Sequence, residues 1–152
     1  MPHPLLNPWK RRLYFITRLP SLWFWGVRVE TLDSRQCEIF LPHNWRSKNP
    51  FRSIYFAALC GAGELASGLL ALQHCQNQNV SMLVTKMEAT FTKKAVGGIH
   101  FRCHQGDQIA AAVQQAIQEQ SAQTCRVQVV GISEEQPSVE LWITWSFRQR
   151  TK

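Results

Sequence analysis

Residues 51–75 read FRSIYFAALCGAGELASGLLALQHC. The run is apolar on nearly every side and crowded with small residues: Ala57, Ala58, Gly61, Ala62, Gly63, Ala66, Ser67, Gly68 and Ala71. A helix built from it has no wide polar face, so it is not expected to lie on a surface. Arg52, Glu64 and the glycines interrupt the run, and no apolar stretch is expected to reach the roughly 18–20 residues that span a bilayer. The remaining expectation is a helix enclosed by other structure, its small side chains permitting close backbone approach. Glu64 is the only acid between Glu38 and Glu88. A lone carboxylate among Gly63, Leu65, Ala66 and Leu69 is costly to bury without a purpose or a partner.

The flanking segments supply the cover. Before the central run, Trp25–Leu32 alternates, with Trp25, Val27, Val29 and Thr31 on one face and Arg28 and Glu30 on the other. Asp33-Ser34 is a turn and Gln36–Leu41 a second strand, which together make a hairpin. Pro42–Pro50 is a mostly polar loop. After the central run, Val80–Lys93 reads as a long strand, Gly97-Gly98 as a turn or bulge, and Ile99–Cys103 as a strand. Asp107 caps a short helix with Ile109, Ala110, Val113 and Ile117. Thr124–Ile132 and Val139–Phe147 are strands, the last with Leu141, Ile143, Trp145 and Phe147 on one face. At the start, Asn7-Pro8 reads as a helix cap, and Pro20 ends that helix. Helices and strands are segregated, so the class is α+β with a mostly antiparallel sheet. About six strands must curl around one long helix to remove it from water. Residues 1–22 form an N-terminal helical extension and residues 23–152 the domain proper.

The chain has 152 residues and a formal charge of +7, with charged residues at 18% and hydrophobic ones at 45%. That excludes disordered, collagen-like and disulfide-scaffold classes. The five cysteines are odd in number and include no Cys-x-x-Cys pair, which fits neither a zinc site nor a secreted framework. No signal peptide is evident at the start of the sequence. A reducing cytoplasm is the expected compartment.

Three segments carry a family likeness: Asn49 with Ser53-Ile54-Tyr55-Phe56-Ala57-Ala58-Leu59, then Gly63-Glu64-Leu65-Ala66-Ser67-Gly68, then Phe91-Thr92-Lys93-Lys94-Ala95-Val96-Gly97. Over roughly Trp25–Phe147 the chain resembles the phenylacetate-type acyl-CoA thioesterases of the hotdog fold. The likeness is closest to an uncharacterised bacterial branch, the domain of unknown function 4442. The resemblance implies a curved sheet of about six antiparallel strands wrapped around one central helix, here with an extra N-terminal helix. It implies a homodimer or dimer of dimers with the site shared between chains, and an acyl-CoA or other acyl thioester as substrate. Coenzyme A enters only as part of that substrate; no metal or redox cofactor is implied. The family's helix acid and loop asparagine fall on Glu64 and Asn49. A His-Gly-Gly run common at the family's helix start is replaced by Tyr55-Phe56-Ala57. The same fold hosts dehydratases and non-enzymatic acyl binders, so a binding module is the alternative reading.

Thioester hydrolysis needs an oriented water, a base and a stabiliser for the oxyanion. A carboxylate in an apolar groove serves as base because desolvation raises its pKa. Glu64 takes that role, or else is a structural carboxylate paired with an arginine or facing a dimer interface. The N–H groups at the helix start, near Tyr55 and Phe56, can bind a developing oxyanion. Asn49 holds the water or carbonyl, or caps a helix before Pro50. Thr85, on the strand beside the helix, is a further catalytic candidate whose plain alternative is an ordinary strand threonine. Cys60 lies one turn before Glu64 but has no neighbouring histidine, and buried cysteine is usually inert.

Lys93, Lys94 and Arg102, around the turn at Gly97, are the candidates for binding the phosphates of coenzyme A; a solvated basic surface is the alternative. Arg46, Lys48 and Arg52 add to the basic balance. His100 and His104 share a face if their strand is unbroken, but no third metal ligand is apparent. No nucleic-acid signature accompanies the basic residues. The N-terminal helix, with Trp9, Phe15 and Leu19 opposite Lys10–Arg12, suits either weak contact with an anionic membrane surface or, more commonly, packing on its own domain.

Overall fold

The computed structural model describes residues 3–150. A short 3₁₀ turn (Pro4–Leu6) leads into α1 (Pro8–Arg18) and α2 (Pro20–Trp25). Next come β1 (Arg28–Leu32), β2 (Cys37–Leu41), α3 (Phe56–Cys75), β3 (Val80–Phe91) and β4 (Ile99–Cys103). α4 (Gly106–Glu119), β5 (Gln123–Ser133) and β6 (Gln136–Gln149) complete the chain. The six strands form one sheet in the order β1-β2-β4-β5-β6-β3, antiparallel at every pair. The sheet curves around α3, which touches β2, β3, β4, β5 and β6. This is the expected α+β arrangement.

The alternation read from the sequence sets the faces. Ile39 and Leu41 on β2, Ile99 and Phe101 on β4, Val127 and Val129 on β5, and Leu141, Ile143 and Phe147 on β6 are all fully buried. They meet Ala58, Ala62, Ala66, Leu70 and Ala71 of α3, none of which has any exposed surface. Burying each of the Val, Ile, Leu and Phe side chains contributes about 1.5–3 kcal/mol. Gly63 lets the helix sink onto the sheet, since a Cβ there would lie 2.1 Å from Leu141 Cδ1. α4 packs against α3, β5 and β6 through Ile109 and Val113. It is fourteen residues long, not a short insertion, and Gln105 rather than Asp107 is its cap.

Three local differences from the sequence reading have physical causes. Pro20 ends α1 and also opens α2, because a proline in a first turn loses no hydrogen bond. Gly26 then closes α2 at φ 81°, a left-handed cap that a Cβ disfavours, so β1 starts at Arg28 rather than Trp25. α3 starts at Phe56 rather than Phe51. Residues 50–54 instead wrap around the Asn49 side chain, with Arg52 at φ 63°. That leaves Arg52 outside α3, with Glu64 the helix's one formal charge. α3 is therefore long and apolar enough to cross a membrane, contrary to the expectation above. More than half of that stretch is covered by the protein itself.

Candidate functional site

Phe56, Cys60 and Glu64 recur every fourth residue and form the open stripe of α3. Glu64 is partly buried, and burial pushes its carboxyl above the usual carboxylate range. Its carboxylate makes no hydrogen bond or ion pair among the described residues. The side chain lies over Gly68, where a Cβ would come within 3.0 Å of Glu64 Oε1 and 3.5 Å of the Trp145 ring. Glycine at 68 thus makes room for the acid beside the β6–β3 end of the sheet. Below it, Trp145 Nε1 donates to Ser67 Oγ at 3.0 Å in the core, and Ser67 Oγ donates to the Glu64 carbonyl at 3.1 Å. These bonds pin the turn that carries Glu64.

At the other end of the stripe, the N-terminus of α3 has no side-chain cap. Ala58 N and Leu59 N return to the Tyr55 carbonyl, at 3.0 and 3.1 Å, while Phe56 N and Ala57 N make no bond among the described residues. Such free N–H groups carry the positive end of the helix dipole. Beside them opens a cavity of about 340 Å³ lined by Asn49, Ser53, Phe56, Phe91, Lys93 and Lys94, among others. Phe56 stands 58% exposed there, its ring 4.9 Å from that of Tyr55. Along the helix axis Phe56 and Glu64 are separated by about 12 Å.

The structure gathers Asn49, Phe56, Lys93 and Lys94 around one cavity, with Tyr55 as the helix cap next to it. Asn49 is fully engaged in its own loop. Its Oδ1 accepts from Phe51 N at 2.9 Å and Ser53 N at 3.2 Å, and its Nδ2 donates to Ser53 Oγ at 3.0 Å and the Ile54 carbonyl at 3.4 Å. It shapes the approach to α3 and caps no helix. Lys93 bonds Gln136 through its Nζ, whereas Lys94 forms no such bond among the described residues. Thr85 sits in a bulge of β3, exposed, donating to the Thr144 carbonyl at 3.2 Å. Gly97 faces Ser133 and Glu134.

Arg102 lies on the outer face of β4, where its Nε is 3.2 Å from Glu38 Oε2, apart from the cavity that Lys93 and Lys94 line. There Glu30, Glu38 and His100 also meet, their ligand atoms within 4.8 Å of one another. Arg28 and Arg102 face the two acids at 3.8 and 3.2 Å, so the charges are already balanced within the cluster. β4 stops at Cys103, so His104 does not share a strand face with His100. All five cysteines are free, and burial pushes the Cys60 thiol up, which keeps it protonated. Ser53, Phe91 and Thr92 lie in the segments that carry the family likeness but were not singled out as site residues, and the structure places them in the cavity wall. The antiparallel return of β3 toward the start of α3 was the signal available for Phe91.

A long helix cradled by a six-stranded antiparallel sheet of this order is the hotdog fold. Solved structures share it across nearly the whole chain. A Pseudomonas aeruginosa protein of unknown function, described as a probable thioesterase, matches with a TM-score of 0.81 at 17% identity, covering 97% of this chain and 100% of that one. A thioesterase from Haemophilus influenzae matches with a TM-score of 0.65 at 13% identity, covering 92% and 90%. The chain belongs to the family described as domain of unknown function DUF4442, which matches residues 12–147. No curated protein matches the sequence.

Proposed function

We propose that this protein hydrolyses an acyl thioester, with coenzyme A as the carrier. The observation that carries the reading is Glu64, a partly buried and unpartnered carboxylate on the same open stripe as two free helix N–H groups. Once ionised, Glu64 takes the proton of a water that attacks the thioester carbonyl. Phe56 N–H and Ala57 N–H stabilise the oxyanion, and collapse of the intermediate expels the thiolate. Lys94, and Lys93 beside it, bind coenzyme A phosphate. The described neighbours called thioesterases support the class of reaction.

The protein acts as a homodimer, or a dimer of dimers, joined along the bare edge of β3. That edge runs twelve residues and leaves Leu83 65% and Phe91 44% exposed. A second copy pairing there covers the site from the β3 side. Five free thiols suit a reducing cytoplasm.

A second reading, acyl binding without turnover, is favoured by the Phe56 and Tyr55 rings crowding the helix start. Thiol release from a panel of acyl-CoAs separates the two. Hydrolysis predicts turnover that falls at least about 100-fold in Glu64→Gln while the melting transition is retained. Absence of thiol release across the panel, with acyl-CoA still bound by calorimetry, leaves the binding reading.

A further inference from the structure

α1 carries two apolar faces. The inner one seats the helix on the domain: Phe15 is 2% exposed, Tyr14 is half-buried, and Arg11 Nη1 donates to the Val29 carbonyl at 3.3 Å. The outer face presents Trp9, Leu13 and Ile16, which are 78%, 66% and 42% exposed. Spaced four and three apart, they fall within about 60° of arc on the helix. Packing on the domain, the commoner expectation, is therefore satisfied without them. A helix that has buried one stripe has no folding reason to keep a second.

Along the helix itself the stripe is flanked by basic residues, and the nearest acid, Glu30, lies toward Arg11 on the inner side. Lys10 and Arg12 flank it and Arg18 ends the helix, all three exposed. Residues 1–29 contain Lys10, Arg11, Arg12, Arg18 and Arg28 and no acid; the first acid is Glu30. Indole and aliphatic side chains rimmed by cations match the boundary of an anionic bilayer, where apolar groups enter the acyl region and cations meet phosphates. A protein partner fits less well. Three side chains on one short helix offer much less than the roughly 800 Å² per side of a stable interface, and another copy of this helix would bring like charge.

We propose that α1 docks the protein on an anionic membrane surface, with Trp9, Leu13 and Ile16 inserted at the headgroup boundary. The inference stands apart from the thioester reading, since none of these residues belongs to the cavity beside α3.

Vesicle flotation of the full chain tests it, using phosphatidylcholine vesicles with and without phosphatidylglycerol. The protein is expected to float with the anionic vesicles, at least about tenfold less with the neutral ones, and less as salt is added. Combined Trp9→Ser, Leu13→Gln and Ile16→Gln is expected to lower flotation about tenfold or more with the melting temperature retained, because all three side chains already face solvent. Lys10→Glu with Arg12→Glu, which leaves the apolar stripe intact, is expected to lower it as well. Failure to float with anionic vesicles at low salt would overturn the proposal. So would flotation of the triple variant equal to that of the unmodified chain. A change in oligomeric state caused by the triple variant would assign the stripe to a protein contact instead.

Discussion

At one end of the sheet β1 runs five residues, shifts register between Val29 and Thr31, and has the 3₁₀ turn packed against it. An arginine from α1 takes the Val29 carbonyl. At the other end β3 runs twelve residues, and nothing in the described chain pairs with its outer edge. Its single bulge, between Val84 and Lys86, leaves long regular stretches on either side. Short, bulged and covered edges resist pairing, while long bare ones invite it. The contrast teaches that one edge is finished by the chain itself and the other is not. Glu64 lies toward the unfinished side, since Gly68 brings it near Trp145, whose partner in the register is Val84 of β3.

The largest effect that can break this comparison is on assembly. Leu83→Lys places a charge on the bare edge at a side chain already 65% exposed. For the proposed dimer, sedimentation is expected to show a dissociation constant raised about tenfold or more, with little change in the melting of the separate chain. An unchanged dissociation constant would remove β3 from the interface.

A middle-sized effect tests the burial of Glu64. Its pKa is raised in the folded chain, so between the unfolded value and the raised one the folded state binds more protons. Stability contributed by this group is therefore fully present below the unfolded pKa and declines as pH rises through the raised one. Glu64→Gln is expected to be more stable than the unmodified chain at neutral pH, with the gap closing in acid. Urea melts across that range measure it. The same titration places the acid limb of kcat/KM above the usual carboxylate range in the proposed reaction.

The smallest effect belongs to the finished edge. Arg11→Ala releases the Val29 carbonyl, and thermal melts are expected to show a loss of about 0.5–1.5 kcal/mol with no change in assembly. A shift in oligomeric state would mean that β1, too, is an interface.

The central helix was legible because its small residues leave no polar face, and β6 because strict alternation marked Leu141, Ile143, Trp145 and Phe147 as inward. The site was legible only in part. Glu64 stood out as an isolated acid, and Asn49, Phe56, Lys93 and Lys94 do converge on one cavity. The Asn49 loop was not readable, because a side chain that bonds three of its own next five residues obeys no periodicity. Arg102 followed from nearness in sequence to the glycine turn, yet strand alternation turns it to the far face with Glu38. The bond from Trp145 to Ser67 joins residues 78 apart, beyond the reach of any local pattern.

Gly63 adjoins the acid, and the 2.1 Å gap that a Cβ there would leave to Leu141 sets how deep α3 rides in the sheet. One absent methyl group thus acts as the depth gauge of the proposed chemistry. A side chain at 63 forces Leu141 or α3 to give way, and where the helix yields it carries the carboxylate outward. A displacement of about 1 Å is enough to cost a reaction about 100-fold. Variation is therefore constrained at a position that touches no substrate at all.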